Sequence, residues 1–155
     1  MLDATDFGDV SMLRDEPSGD AGTRTKVGGY CVVGTATSAM NPGDAVVVDT
    51  AADDSYQTTA SANATTGAGF VVAGMGNGMQ WNYTAAIASG QLVLIRVLGV
   101  VLATASAAIT RGDRVGTSTT AGRVATTSTA GAGFGRALQS PTVAGQTFRV
   151  LLGRS

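Results

Sequence analysis

At 155 residues the chain is long enough to bury a core as one domain or two small fused lobes, and 44% of it is apolar against 14% charged. Its 22 glycines follow no collagen period and alternate with Val and Leu clusters that a disordered chain would lack. A net charge of −1 with ten basic residues argues against duplex DNA as a partner, and the absence of histidine removes the commonest general base.

Residues 1–26 stand apart. Six acids, three bases, Pro17, Gly19 and Gly22 surround scattered Leu2, Phe7, Val10, Met12 and Leu13, with neither helical nor alternating spacing. Such a segment cannot bury a core of its own. It reads as an extended N-terminal arm that docks on another subunit or a larger surface, with those five side chains as anchors, the chain's own body being the alternative holder. The acidic start also lacks the apolar run of a signal peptide, so the chain is expected to be made and used without crossing a membrane.

From Val27 onward the pattern is strand and turn. The strands expected are Tyr30 to Val33, Ala45 to Val48, Phe70 to Ala73, Leu92 to Leu98 and Val100 to Ala103 in a first unit and its junction. Arg114 to Gly116, Arg123 to Thr126, Phe134 to Leu138 and Thr147 to Leu152 follow. The apolar stretch from Leu92 to Ala103 is too short for a bilayer and is interrupted by Arg96 and Gly99, so it is read as core strand. Cys31, the single cysteine, permits no internal disulfide and is read as a small buried hydrophobe. With one cysteine and no histidine, a zinc site is not expected.

The body is written twice. Val32 to Val46 aligns with Val100 to Val115, bringing Asn41-Pro42-Gly43-Asp44 onto Thr110-Arg111-Gly112-Asp113. Gly67-Ala68-Gly69-Phe70 returns as Gly131-Ala132-Gly133-Phe134, and Gly90-Gln91 as Gly145-Gln146. Arg96-Val97-Leu98 returns as Arg149-Val150-Leu151. Two small units covering each other's apolar faces are expected, one over about 27–99 and the other over about 100–155. The first carries an insertion: Ala73 and Gly90 are seventeen positions apart, Ala137 and Gly145 eight. That glycine-hinged insertion holds Trp81 and Tyr83. Two readings stay open for it, a protein contact or a lid over one end of the barrel's own core.

Charge is segregated too. Residues 1–60 carry ten acids and three bases, whereas residues 61–155 carry seven arginines and one acid, Asp113. Attraction within a chain or between copies follows from that polarity. Catalytic patterns are wanting. Asp49, Asp53 and Asp54 sit in a polar loop suited to solvated surface charge, and Lys26 lacks a Ser-x-x-Lys context. The glycine strings lack phosphate-loop spacing. Arg111-Gly112-Asp113 spells an adhesion tripeptide, but its repeat partner Pro42-Gly43-Asp44 makes it turn chemistry. Asn63-Ala64-Thr65 and Asn82-Tyr83-Thr84 match the glycosylation sequon without an indicated secretory route. No catalytic, cofactor-binding or metal residue is therefore assigned.

The Gly-Asp turns, residues 90–101, Arg111 to Val115, Gly122-Arg123-Val124, Gly135 to Leu138 and Arg149 to Leu152 together resemble the small capsid decoration, or cement, proteins of tailed bacteriophages. The resemblance covers roughly residues 27–155. It implies an all-β, compact barrel-like body of the type called a β-tulip, with an N-terminal arm running over the capsid. It also implies copies clustered as trimers, or sometimes dimers, on the outer surface of the virion. The implied partners are the major capsid protein and further copies of the chain, with no nucleic acid and no membrane. Leu2, Phe7, Val10, Met12, Leu13, Trp81 and Tyr83 are the expected contact residues. Two other readings are a fibre or adhesin base that binds host carbohydrate, with exposed aromatics and Asp or Asn around Trp81, and a histidine-free glycan hydrolase with two facing carboxylates.

Overall fold

The computed structural model describes residues 29–76 and 79–153. The segment 1–26, with Leu2, Phe7, Val10, Met12 and Leu13, lies outside the described residues. Ten strands form: β1 (Gly29–Ala36), β2 (Ala45–Val48), β3 (Ser55–Gln57), β4 (Gly67–Met75), β5 (Trp81–Asn82), β6 (Leu92–Thr104), β7 (Arg114–Thr117), β8 (Val124–Thr126), β9 (Gly133–Ala137) and β10 (Thr147–Leu152). No helix occurs among the described residues, so the body is all-β as expected.

Alternation explains the strands. In β10, Phe148, Val150 and Leu152 are buried while Thr147, Arg149 and Leu151 are exposed, the period of two that puts one side on a core and the other in solvent. Along β6, Val93, Ile95, Val101 and Ala103 point inward. Leu92 to Leu98 and Val100 to Ala103, expected as two strands, run as one, because Gly99 with φ 105° bends the chain without breaking its pairing.

The pairings close two rings that share β6. β1, β3, β2, β4 and β6 pair in a cycle, with β1 and β3 parallel. β6, β10, β9, β7 and β8 make the second, closed by a parallel bridge between Val124 and Ala105 just past the end of β6. One core holds Met40, Val46, Val71, Ile87, Val93 and Ile95; the other holds Val101, Val115, Val124, Phe134, Phe148 and Val150. Phe70, from the first ring, joins the second core and stacks at a tilt on Phe134, 5.2 Å between centroids. Each large buried apolar side chain contributes about 1.5–3 kcal/mol to holding the rings. Asn63 ties them further: its N–H donates to the Thr117 carbonyl at 3.2 Å, and its Oδ1 accepts from the Thr127 hydroxyl at 2.6 Å.

The repeat survives in atomic detail at the turns. Gly43 (φ 93°) and Gly112 (φ 92°) each occupy the third place of a turn closed by Asp44 N–H to Asn41 O and Asp113 N–H to Thr110 O, both 3.0 Å. Each aspartate folds back, Asp44 Oδ2 accepting from the Asn41 N–H at 2.7 Å and Asp113 Oδ2 from the Thr110 N–H at 3.0 Å. Gly90 and Gly145 donate to the carbonyls of Ala36 and Ala105 at 2.7 and 2.8 Å.

Two landmarks of the repeat need correction. Ala45 pairs with Phe70 and Val46 with Gly69, whereas Arg114 pairs with Arg136 and Val115 with Gly135. Gly69 therefore corresponds to Gly135, and Phe70 to Arg136, two positions beyond the Gly131-Ala132-Gly133-Phe134 match. A Cβ on Gly69 would run into the Arg96 carbonyl oxygen, and one on Gly135 into that of Leu151. Arg96 therefore corresponds to Leu151, and Leu94 to Arg149, so the two Arg-Val-Leu strings are offset by two as well. A slip of two keeps every side chain on its face, which is why the letters matched.

Candidate interaction surfaces

The insertion folds onto the outside of the first ring. β5 pairs with the end of β4, Trp81 opposite Met75 and Asn82 opposite Gly74. Asn82 Oδ1 accepts from the Thr84 and Ala85 N–H groups at 3.0 and 2.9 Å and fixes the return. Trp81 and Tyr83, both half-buried, pack against a small cluster of Cys31, Ala73 and Leu94. They cover the side of the ring, where Leu94 stands opposite Val33 and Ala73. Met79, 83% exposed, marks the other side of the hairpin connection.

Beneath that cluster lies Arg96, opposite Cys31 and Phe70. Its guanidinium donates to the Val100 carbonyl at 3.1 Å and points a second nitrogen at Cys31 Sγ, 3.9 Å away. Burial lowers the Arg96 pKa to about 10, which leaves it protonated at neutral pH, and raises the Cys31 thiol to about 11. A thiol held neutral is a poor nucleophile, so Cys31 is structural.

The same face of the second ring is open. Its counterparts of Cys31, Val33, Leu94 and Arg96 are Val100, Leu102, Arg149 and Leu151. Leu102 is 62% and Leu151 48% exposed, with Arg136 and Arg149 solvent-facing beside them. Register makes the patch continuous: Val100 opposes Leu151, Leu151 opposes Arg136, and Leu102 opposes Arg149. Tyr30 and Leu98, 59% and 53% exposed and facing each other, extend it across β1. The sequence reading missed this surface. Its signal was the unbroken run Val100-Val101-Leu102, apolar on both faces where a half-solvated strand would alternate.

Between the rings lies a cleft of about 740 Å³ with Val97, Phe134 and Leu152 among its lining residues and Tyr56 and Gly131 on its walls. Among the described residues no carboxylate lines it. The acids lie elsewhere. Asp49 accepts from the Thr37 hydroxyl at 2.6 Å and the Ala51 N–H at 3.0 Å, contacts that hold its pKa below the ordinary carboxylate value. Asp44 is raised, chiefly by burial. Asp113 is bound to its turn and to the Thr126 hydroxyl at 3.3 Å. Among the described residues no three metal-binding side chains gather.

A family model of phage cement proteins matches residues 53–152, from the β2–β3 loop to the end of β10. The chain belongs to that family. It is a structural protein of the phage virion, associated with the capsid. The fold of this cement protein is also that of the head fiber gp8.5 N base in bacteriophage phi29, whose crystal structure it matches with a TM-score of 0.54 at 18% identity. The match covers 81% of this chain and 95% of that one. At that identity the likeness is one of fold. No curated protein matches.

Proposed function

We propose that this cement protein decorates the outer surface of a phage capsid and holds adjoining major capsid subunits together as a non-catalytic clamp. The observation that carries the reading is the family match, which runs from β3 to β10 and includes the strand that the two rings share. Residues 27–99 and 100–155 act as a duplicated pair of units, the tulip-like body, and residues 1–26 as the arm. Leu2, Phe7, Val10, Met12 and Leu13 anchor the arm, while the hairpin around Trp81 and Tyr83 offers a second contact. Copies group as trimers, with a dimer as the alternative. Many weak attachments, each linked to its neighbours, then resist internal pressure as one strong one.

Undecorated capsids mixed with purified protein test this. The full chain should saturate a fixed number of sites and raise the temperature at which capsids release their DNA. A chain lacking residues 1–26, with Trp81 fluorescence unchanged, should bind at least tenfold more weakly. Equal binding at equal salt removes the arm from the clamp, and no rise in capsid stability removes the clamp.

A second reading, the base of a head fibre, is supported by the fold likeness. Carbohydrate capture by such a base would use exposed aromatic faces, and Trp81 and Tyr83, half-buried on the Leu94 cluster, offer only part of theirs.

A further inference from the structure

The two rings differ in who covers their outer face. In the first, Trp81 and Tyr83 lie over Cys31, Ala73 and Leu94. In the second, the corresponding strands β6, β10 and β9 leave Leu102 and Leu151 exposed between Arg136 and Arg149. A contiguous apolar patch of this kind on a twisted sheet marks a contact surface, and two flanking arginines favour an occupant that is apolar and acidic.

The chain itself carries such a segment. Residues 1–13 combine Leu2, Phe7, Val10, Met12 and Leu13 with Asp3, Asp6 and Asp9, and contain no base. The place where the chain leaves the body sets which faces that segment can reach. The described body begins at Gly29, which opposes Gly99, and Gly99 opposes Leu152, so the chain departs beside its own open face. The residues adjoining that exit, from Asp20 to Gly28, are mostly Gly, Ala, Thr and charged, and contribute Val27 as their one large apolar side chain. The anchors lie beyond a tether of fifteen residues, 14–28, whose extended reach is ~50 Å. A compact body of this size has a radius of gyration of ~14 Å. A tether of that length lets the anchors reach the open face of a neighbouring molecule, and return to the chain's own face is the alternative that the experiment below separates.

We propose that the open face of β6, β10 and β9 receives residues 1–13 of a second copy of this chain, with Leu102 and Leu151 contacting the arm's apolar anchors and Arg136 and Arg149 facing its aspartates. Each copy then gives one arm and accepts one, either reciprocally between two copies or head to tail around a closed set. The inference builds on the arm and assembly reading above and names the receiving surface.

The test uses the full chain without capsids, so its failure and the failure of capsid decoration are separate results. Val10→Cys protein is mixed with Leu102→Cys protein under oxidised glutathione; native Cys31 is buried and does not compete. The control partner is Ala51→Cys, an exposed position in the β2–β3 loop. Disulfide-linked pairs should form at least tenfold faster with Leu102→Cys than with Ala51→Cys. They should fall at least threefold when the Leu102→Cys partner also carries Arg136→Glu and Arg149→Glu, with an unchanged far-ultraviolet circular dichroism spectrum. Equal rates for the two partners overturn the proposal. So does a Val10→Cys, Leu102→Cys double variant that closes only within the monomer at every protein concentration.

Discussion

The two rings of this cement protein have the same pairing scheme, the same Gly-Asp turns and the same crowded glycines, yet their outer faces end differently. From Val71 to Gly90 the first ring uses nineteen positions where the second, from Ala137 to Gly145, uses eight. The additional residues bring Trp81 and Tyr83 over Leu94 and Cys31. The second ring has arginine in place of Leu94 and leucine in place of Arg96, and both stand exposed. Duplication makes the scaffold; the difference between the copies makes the surface. A symmetric pair would either bury both faces and lose its contact, or expose both and risk unspecific association.

The sharpest way to break that contrast is to hollow out the covered side. Leu94→Ala should cost about 2–5 kcal/mol, because it removes a buried side chain from beneath Trp81 and leaves a cavity. Arg149→Ala at the corresponding position should stay within about 0.5 kcal/mol in the isolated protein, since that side chain is exposed. Urea unfolding of both variants measures the difference. Comparable losses would mean that the outer face of the second ring is already covered.

Removing the cover is the next largest effect. Trp81→Ala should cost about 1–2 kcal/mol, as half-buried aromatic area returns to water. It should also speed alkylation of Cys31, whose thiol burial holds near 11. Leu102→Ser, by contrast, should leave the midpoint almost unmoved while disrupting whatever docks there. A mass-spectrometric count of modified Cys31 against time reads the first, and the paired urea midpoints read both.

A turn swap probes what the rings share. Gly43→Ala and Gly112→Ala should each cost about 1 kcal/mol and agree within a few tenths, since both glycines hold a positive φ. Neither would place its new methyl closer than 3.9 Å to anything outside its own turn. Unequal losses would show that the two turns are not equivalent.

How much of this was legible follows from the same residues. Strands with strict alternation, such as β10, and strands opened by a Gly-Asp turn, such as β2 and β7, were readable because period and punctuation agree. β3 was missed: Ser55-Tyr56-Gln57 sits among polar residues, and only its partners, Thr35, Ala36, Val47 and Val48, make it a strand. The register of the second landmark was missed for a different reason. Gly-Ala-Gly-Phe repeats as text, but what a glycine answers to is the backbone crowding it, and the carbonyls of Arg96 and Leu151 single out Gly69 and Gly135. For the insertion, aromatic content was visible. The surface it lies on was not, because Leu94 and Cys31 are brought together only by pairing across β1 and β6. The open face escaped notice since its members are far apart in sequence and unremarkable singly.

The smallest predicted effect is also confined to one ring. Asp49 in the first and Ser118 in the second hold corresponding places: the Ala51 N–H donates to Asp49 Oδ1 at 3.0 Å, and the Thr120 N–H to Ser118 Oγ at 3.1 Å. Only the first of these acceptors titrates. The Thr37 hydroxyl and the Ala51 N–H stabilise the Asp49 carboxylate, so its folded pKa lies below the unfolded one. A depressed acid contributes stability above its unfolded pKa, about 3.9 for aspartate, and loses it as pH falls through the folded value. Asp44, raised by burial, works in the opposite sense and gains on acidification. Asp49→Ser should therefore lower the urea midpoint slightly at pH 7, and the effect should fade as pH falls through the folded value of the wild-type carboxylate. The gap between variant and parent should close steadily from pH 5 downward. A gap that does not shrink on acidification would mean that Asp49 acts through shape and not through charge, and that the two rings differ there in packing alone.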